Sequence, residues 1–188
     1  LTNRINKYKI ISERLNKLKK DDCLEVKGDG YTIRNIVNLE KKIGTASVAG
    51  AIYLTSIPNV LGTFPIASKV MGETPANKLE TTLMESITKD ILLKGYSKHF
   101  NIIYKATFCK DKKVKPKERL VNYNELSNGD LKMLTKNRNV LENTDDFFNI
   151  FFQTFISIGT FHNLVGYYHN DAHYGNFLYQ LNNEVGYY

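Results

Sequence analysis

The chain has 188 residues, 42% of them hydrophobic and 24% charged, a balance typical of a folded domain rather than a disordered segment. Its net charge of +7 favours polyanionic ligands such as nucleotides, nucleic acid or anionic lipid. Only five of the 26 basic residues are arginine, the preferred bidentate reader of guanine, which argues against a sequence-specific nucleic-acid binder.

Residues 4–20 predict an amphipathic helix, with apolar side chains at helical spacing and a strongly basic opposite face. The favoured interpretation is a helix that packs on the domain, and a membrane-surface or partner-docking helix is the alternative. We therefore assign residues 1–30 to a basic helical N-terminal extension.

Residues 31–126 predict a β-rich segment that is interrupted by one helix. Glycine and proline turns, β-branched and aromatic runs, and one change to helical periodicity define its elements. The predicted strands are 31–44, 49–57, 62–71, 101–109 and 119–126, and the predicted helix is 74–95. Further helices are predicted at 127–141 and 145–165. The apolar run 147–161 is broken by polar residues, which predicts a buried helix and no membrane span.

A polar cluster, HNDAHYGN, lies at 169–176 between aromatic and apolar flanks. Asp171 is suited to accept a proton from a hydroxyl nucleophile. The amide oxygen of Asn176, five residues later, is a suitable ligand for a hard cation such as Mg2+. Phosphoryl transfer needs both, because it depends on positioning and on neutralising charge.

Phosphoryl transfer also needs a glycine-containing turn that covers the phosphates, a strand lysine that holds them and a helix glutamate that holds the lysine. The chain offers a candidate for each. The segment 43–53 supplies a glycine-containing turn between two predicted strands. Lys69 lies on the third predicted strand, with Ala67 two residues before it. Glu80 lies on the helix that follows directly and is the first candidate for the partner of Lys69, because its neighbours Leu83 and Met84 are apolar. Glu85 is the second candidate.

In this order, the elements resemble the protein-kinase-like superfamily. HNDAHYGN is similar to the kinase catalytic loop, in which His-x-Asp is followed by Asn five residues after the Asp. His173 and the Gly-Asn pair are more similar to the aminoglycoside phosphotransferase and choline kinase branch. Related loops occur in divergent virion-associated kinases of large DNA viruses.

The resemblance implies an α+β, bilobal fold. Residues 31–126 would form a five-stranded antiparallel N-lobe with one main helix and the hinge, and 127–188 part of a helical C-lobe. The implied activity is transfer of the ATP γ-phosphate, with Mg2+, to a Ser or Thr hydroxyl of a protein substrate. Other virion proteins are implied as further partners.

Residue roles follow from the same resemblance. Asp171 would be the catalytic base, Asn176 a Mg2+ ligand, and Lys69 the contact to the α- and β-phosphates, oriented by Glu80. The residues implied in nucleotide binding are Gly44 and Gly50 around the phosphates, Ala67, Tyr123 as gatekeeper, Asn124 and Leu126 in the hinge, and Asp130 at the ribose.

The resemblance also implies a further metal-binding Asp roughly a dozen residues beyond Asn176. Because the sequence ends at Tyr188, we expect a fragment of a longer protein. Two alternatives stay open. One is a catalytically inactive nucleotide-binding or scaffold protein, and the other is a metal-dependent hydrolase that uses His169, Asp171 and His173.

The two cysteines, Cys23 and Cys109, lie far apart in the sequence and form no CxxC pair. This predicts neither a disulfide framework nor a zinc knuckle, and it favours a reducing compartment. The predicted location is therefore the cytoplasm, or a virion if the viral resemblance holds.

Overall fold

The computed structural model of the chain describes residues 1–47, 50–58, 60 and 66–181. Their fold is α+β, as predicted. The helices are α1 Thr2–Leu15, α2 Pro75–Ile87, α3 Leu131–Leu134, α4 Arg138–Glu142 and α5 Thr144–Thr160. The strands are β1 Glu25–Lys27, β2 Gly30–Ile33, β3 Val37–Ser47, β4 Gly50–Ser56, β5 Ile66–Met71, β6 Ile103–Phe108, β7 Leu120–Glu125, β8 Gly129–Asp130 and β9 Leu178–Tyr179. Single π-helical turns extend α2 and α5, at Thr88–Leu92 and Phe161–Val165.

The chain divides into two compact units, Leu1–Leu126 and Ser127–Tyr188. The described part of the first unit contains a seven-stranded antiparallel sheet in the order β1-β2-β3-β4-β5-β7-β6. The sequence predicted five strands there. One source of the difference is β1, which comes from residues assigned to the N-terminal extension.

The other source is the predicted single strand 31–44, which is wrong. Arg34 and Asn35 both have positive φ, at 49° and 54°, so the chain turns back between β2 and β3. Ile36 N–H closes the turn on the Ile33 carbonyl at 2.9 Å. Two hydrophobic runs joined by a tight turn read as one strand in the sequence, because neither residue of the turn is glycine or proline.

Helix α1 packs into the core of the first unit, which confirms the favoured interpretation of this segment. Ile11 and Leu15 are completely buried and Leu18 nearly so. They share one hydrophobic cluster with sheet residues such as Val70 and Val121. Residues 2–18 therefore contribute to the same core as the sheet.

The sheet of the first unit has two differently covered faces. Directly paired residues on antiparallel strands project to the same face. Val70 pairs with Val121 and belongs to the cluster that includes α1. Lys69 pairs with Asn122, whose amide donates to Thr81 of α2 at 2.9 Å. Alternation along β5 and β7 thus sends one set of side chains towards α1 and the other towards α2.

The two cysteines form a disulfide, with a Cα–Cα distance of 4.6 Å between Cys23 and Cys109. The prediction that they form no disulfide is wrong. Their separation of 86 residues in sequence does not measure their separation in space. Strand β6 passes close to the segment that follows α1, where Phe108 N–H donates to the Lys20 carbonyl at 2.6 Å. The adjacent Cys109 is thereby brought to Cys23.

The second unit contains α3 to α5 and the short ladder between β8 and β9. Asn143 caps α5 by accepting hydrogen bonds from the backbone N–H groups of Asp145 and Asp146. The helix forms as predicted, but the prediction that it is buried is wrong, because five of its phenylalanines are exposed: Phe147, Phe148, Phe151, Phe152 and Phe155. Among the described residues, no helix is long and apolar enough to cross a membrane.

Removing the disulfide should lower the stability of the first unit. We expect the Cys23→Ser/Cys109→Ser variant to lose about 2–4 kcal/mol of unfolding free energy, because the link constrains a long loop in the unfolded chain. Urea denaturation of the variant, compared with wild type with and without reductant, is the measurement. Two thiols that react with an alkylating reagent in the unreduced native protein would contradict the disulfide.

Candidate functional site

Lys69 and Glu80 form an ion pair within the first unit. The Lys69 Nζ lies 2.7 Å from Glu80 Oε1, and the two side chains are 20% and 42% exposed. The second-ranked partner, Glu85, makes no such contact and lines a cavity with Tyr8, Ser12 and Lys105 instead. The structure thus brings together the lysine and the glutamate that the sequence ranked first.

The start of α2 is fixed tightly, and this sets the position of Glu80. Thr74 caps the helix by accepting a hydrogen bond from Asn77 N–H at 3.1 Å, and Pro75 occupies the first turn, where its missing N–H costs nothing. The Asn77 amide also donates to the Gly72 carbonyl at 2.8 Å. Helix α2 therefore begins almost directly after β5, which keeps Glu80 close to Lys69.

A second contact anchors α2 to the sheet beside Lys69. Thr81 is completely buried and donates to the Asn77 carbonyl at 2.8 Å, while Asn122 of β7 donates to its hydroxyl. Asn122 pairs directly with Lys69 across the strands, and Thr81 follows Glu80 in α2. The contact between Asn122 and Thr81 therefore anchors the helix next to the ion pair. The position of the glutamate is thus set by packing and hydrogen bonds that do not involve the lysine.

The face of the sheet that carries Lys69 also carries two other predicted residues. Ala67 pairs with Leu54 on one side and with Asn124 on the other. Both Ala67 and Asn124 are 9% exposed. Ala67, Lys69 and Asn124 therefore share one face, and the two strands fix their spacing.

Tyr123, the predicted gatekeeper, is on the opposite face. It pairs with Ser68, is completely buried among residues that also contact α1, and its hydroxyl lies 3.3 Å from Thr107 Oγ1. Burial raises the pKa of its phenol. The structure does not bring Tyr123 together with Lys69. The side chain of Asn124, the next residue on β7, lies on the same face as Lys69. Side chains alternate between faces along a strand, and this alternation would have predicted the face of Asn124.

The two glycines of the predicted phosphate-covering turn differ in their constraints. Gly44 has φ of 70° and open space where a Cβ would be. Gly50 has φ of 137°, and a Cβ there would come within 2.5 Å of the Val70 carbonyl oxygen. Gly50 therefore lets β4 approach β5 closely. Strands β3 and β4 pair through Ser47 and Gly50, and residues 48–49 between them lie outside the described residues.

The polar loop 169–176 in the second unit is organised by Asn176. Its amide nitrogen donates to the carboxylate of Asp171 at 2.8 Å and to the Asp171 backbone carbonyl at 2.9 Å. The backbone N–H of Asn176 donates to the His173 carbonyl at 2.8 Å. Because the amide nitrogen makes both side-chain bonds, the amide oxygen of Asn176 remains available as an acceptor.

Asp171 is 72% exposed, so its carboxylate is open to a reactant. His173 Nε2 lies 3.7 Å from Asp171 Oδ1, and His173 Nδ1 accepts a hydrogen bond from Gly175 N–H at 3.1 Å. The Asp171 N–H points to His169 Nδ1 at 3.4 Å, and the His169 ring packs on Phe161. Asn170, directly before Asp171, has a positive φ of 56°.

The loop is tied to the rest of its unit by β9. Leu178 and Tyr179 pair with Asp130 and Gly129, and Leu131 N–H donates to the Phe177 carbonyl at 2.9 Å. Asp130, the predicted ribose contact, caps α3 by accepting from Met133 N–H at 2.8 Å. Leu126, the last predicted hinge residue, ends the first unit just after β7.

The alternative metal triad receives no support from the geometry. In the part of the chain that the structure describes, no group of three or more His, Cys, Asp or Glu side chains is arranged to hold a metal ion. His169 and His173 instead make hydrogen bonds within their own loop. Their ring nitrogens shape the loop around Asp171.

Comparison of the chain with models of protein families and with curated proteins gives no match. The kinase-like resemblance therefore depends on the motif residues and on the two local arrangements described above, Lys69 with Glu80 and Asp171 with Asn176.

The Lys69–Glu80 pair should contribute little to stability. Both side chains are partly exposed, and such pairs are worth about 0–1 kcal/mol, so we expect Lys69→Met and Glu80→Gln each to change the unfolding free energy by no more than about 1 kcal/mol. The control is Lys78→Met, which removes a pair with Glu73 at 2.6 Å whose lysine is more exposed than Lys69. Urea denaturation compares the three. A loss of several kcal/mol at Lys69 alone would mean that the pair is structural.

Proposed function

We propose that the protein is an ATP-dependent phosphotransferase with a kinase-like bilobal fold, and that its acceptor is a Ser or Thr hydroxyl of a protein substrate. The observation that supports this most is the Lys69–Glu80 ion pair between β5 and α2, at 2.7 Å. It is the contact that the kinase-like resemblance requires and that composition alone does not predict.

The pair suits a phosphate-binding role. An ammonium group has three N–H donors, and Glu80 uses one of them. The others are free to donate to phosphate oxygens, for which lysine acts as a point charge. Glu80 holds the flexible lysine side chain in one place before the nucleotide binds, which lowers the entropy cost of binding.

Asp171 is the proposed general base. The oxygen of the acceptor hydroxyl attacks the γ-phosphorus, its proton passes to the Asp171 carboxylate, and the bond from the γ-phosphorus to the bridging oxygen of ADP breaks. One hydrogen bond from the Asn176 amide, at 2.8 Å, orients that carboxylate, and a second holds the Asp171 backbone carbonyl. Its high exposure leaves room for a protein substrate.

Asn176 is also the proposed residue for Mg2+. Its two side-chain hydrogen bonds use the amide nitrogen, and amide oxygens are among the ligands that this hard cation accepts. When bound, Mg2+ would neutralise the negative charge of the phosphates. The remaining assignments, Asp130 to the ribose and the backbone of 124–126 to adenine, belong to the same proposal.

The disulfide bears on the proposed location. Disulfides persist in oxidising environments and on virion surfaces and are rare in the cytosol. The Cys23–Cys109 link therefore favours the virion hypothesis over the reducing cytoplasm. It also makes virion proteins the first acceptors to test.

Asp171→Asn should abolish transfer without abolishing nucleotide binding. We expect a loss of about 10²–10⁴ in the rate of phosphate transfer from Mg–ATP to a Ser/Thr protein substrate, because the amide cannot accept the proton. The control is Asp145→Asn, which changes an acidic residue of the same unit on α5. Radiolabelled phosphate incorporation and ATP affinity are measured on both variants and on wild type.

Three results would decide against parts of this proposal. An unchanged transfer rate in Asp171→Asn contradicts the assignment of the base. Full-length wild type that binds Mg–ATP but transfers no phosphate supports the nucleotide-binding scaffold instead. Stoichiometric zinc in the purified protein, lost on His173→Ala, supports the hydrolase.

A further inference from the structure

Two lysine-rich segments meet at the disulfide of the first unit. They are far apart in the sequence, one at 17–20 after α1 and the other at 110–117 in the hairpin between β6 and β7. We call these two segments the lysine surface. All of its lysine side chains are exposed: Lys17, Lys19, Lys20, Lys110, Lys112, Lys113, Lys115 and Lys117.

The disulfide and one backbone hydrogen bond join the two segments. The Cα atoms of Cys23 and Cys109 are 4.6 Å apart, and Phe108 N–H donates to the Lys20 carbonyl at 2.6 Å. The Lys20 ammonium group lies 5.5 Å from the centre of the Phe108 ring. Because Lys110 follows Phe108 by two residues, the positive charges of the two segments meet at this junction.

Arg119 fixes the shape of the hairpin from inside. Its Nε donates to the Val114 carbonyl, and one of its terminal nitrogens donates to the Lys112 carbonyl, both at 3.0 Å. Asp111 Oδ1 accepts a hydrogen bond from Lys113 N–H at 2.9 Å. The arginine is thus used to fold the hairpin, whereas the lysine side chains are left exposed to solvent.

The carboxylates beside these lysines do not neutralise them. Asp22 pairs with Arg34 at 3.4 Å, and Glu118 accepts a hydrogen bond from the Tyr31 hydroxyl at 3.2 Å. Among the residues that the structure describes, none of the eight lysines forms an ion pair. The fold therefore holds like charges together without a counter-charge of its own, an arrangement that attracts a polyanion.

The chemistry of the surface favours a phosphate backbone over the other polyanions. Lysine is a compact point charge that contacts phosphate without reading base edges. Phe108, the aromatic residue at the junction, is half-buried under the Lys20 ammonium group, so it is poorly placed to stack on an unpaired base. Val114, the bulkiest apolar residue of the hairpin, is half-buried too, which leaves little to insert into a membrane.

We propose that the lysine surface binds the phosphate backbone of double-stranded nucleic acid without sequence preference. A duplex carries about one negative charge per 1.7 Å of its axis, so several lysines are able to contact phosphates at once and release the counterions condensed there. The inference is independent of the proposed function, because neither Lys69 nor Asp171 belongs to the lysine surface.

Charge-removing variants in each segment test the surface. The probe is a fluorescein-labelled DNA duplex of about 20 base pairs, and its binding to the 188-residue chain is followed by fluorescence anisotropy between about 50 and 200 mM NaCl. Lys112→Gln/Lys113→Gln and Lys17→Gln/Lys19→Gln should each lower the slope of log affinity against log salt by about two. At about 0.1 M salt, each should bind the duplex about 10–100-fold more weakly than wild type.

The matched control is Lys89→Gln/Lys94→Gln, which removes two exposed lysines of the same unit. They lie at the other end of β6, where Ile103 N–H donates to Thr88 Oγ1 at 3.1 Å. The six residues of β6 span about 17 Å, which exceeds the screening length of about 10 Å at 0.1 M salt. The control should therefore keep the salt slope of wild type and its affinity within about twofold.

Removing the disulfide changes the arrangement of the lysines and none of their charges. Cys23→Ser/Cys109→Ser should bind the duplex about three- to tenfold more weakly than wild type, because the two segments are no longer held side by side before binding. Reduction of wild type with a thiol should have the same effect, and reoxidation should restore the affinity. The lysine variants change exposed side chains only, so they decide the question if the cysteine variant does not fold.

Three results would overturn the inference. A loss of affinity in Lys89→Gln/Lys94→Gln as large as in the other lysine variants would show that binding follows net charge and has no defined surface. Unchanged affinity in both variants of the lysine surface would show that the duplex binds elsewhere. Wild type that binds vesicles of phosphatidylserine and phosphatidylcholine but not the duplex would identify a membrane as the partner.

Discussion

The antiparallel register of β5 against β4 and β7 is the constraint on which the site in the first unit depends. It places Lys69 opposite Asn122 and Ala67 opposite Asn124, so that their side chains project from one face. A shift of one residue would send Lys69 into the hydrophobic cluster beside α1 and expose Val70 to α2. Burying an unpaired ammonium group is costly, and the core on the other face therefore protects this register.

The register also separates the polar groups of the two faces. On the α1 side, Thr55 Oγ1 donates to Ser68 Oγ at 2.6 Å. On the α2 side, Asn122 is used to anchor the helix, and Lys69 is held by Glu80. Among the described residues, Asn124 Oδ1 is buried without a hydrogen-bond partner. The proposed phosphate binding thus depends on the alternation along two strands.

Much of the fold and of the candidate site was predictable from local patterns in the sequence. Periodicity located α1, α2 and β4 to β7, and the apolar neighbours of Glu80 distinguished it from Glu85. The loop contacts between Asp171 and Asn176 agree with their five-residue spacing, because a tight turn at 173–176 brings the two side chains together. These features depend on residues that are close in sequence, where geometry follows from spacing.

The misses concern relations between distant segments. The Cys23–Cys109 bond depends on where β6 passes α1, and the face of Tyr123 depends on pairing between β7 and β5. Neither is visible in a local window. The turn at Arg34 and Asn35 was missed because it uses left-handed residues other than glycine. Exposure of the α5 phenylalanines depends on what packs against the helix, which helical periodicity does not reveal.

The central claim is that Lys69, held by Glu80, contacts the phosphates of ATP. The most direct measurement is the rate at which an amine-reactive acylating reagent modifies individual lysines, followed by mass spectrometry with and without saturating Mg–ATP. The account predicts that nucleotide slows acylation of Lys69 and leaves that of Lys78, which is paired with Glu73 at the start of α2, unchanged. A Lys69 rate that is the same in both conditions would contradict the account.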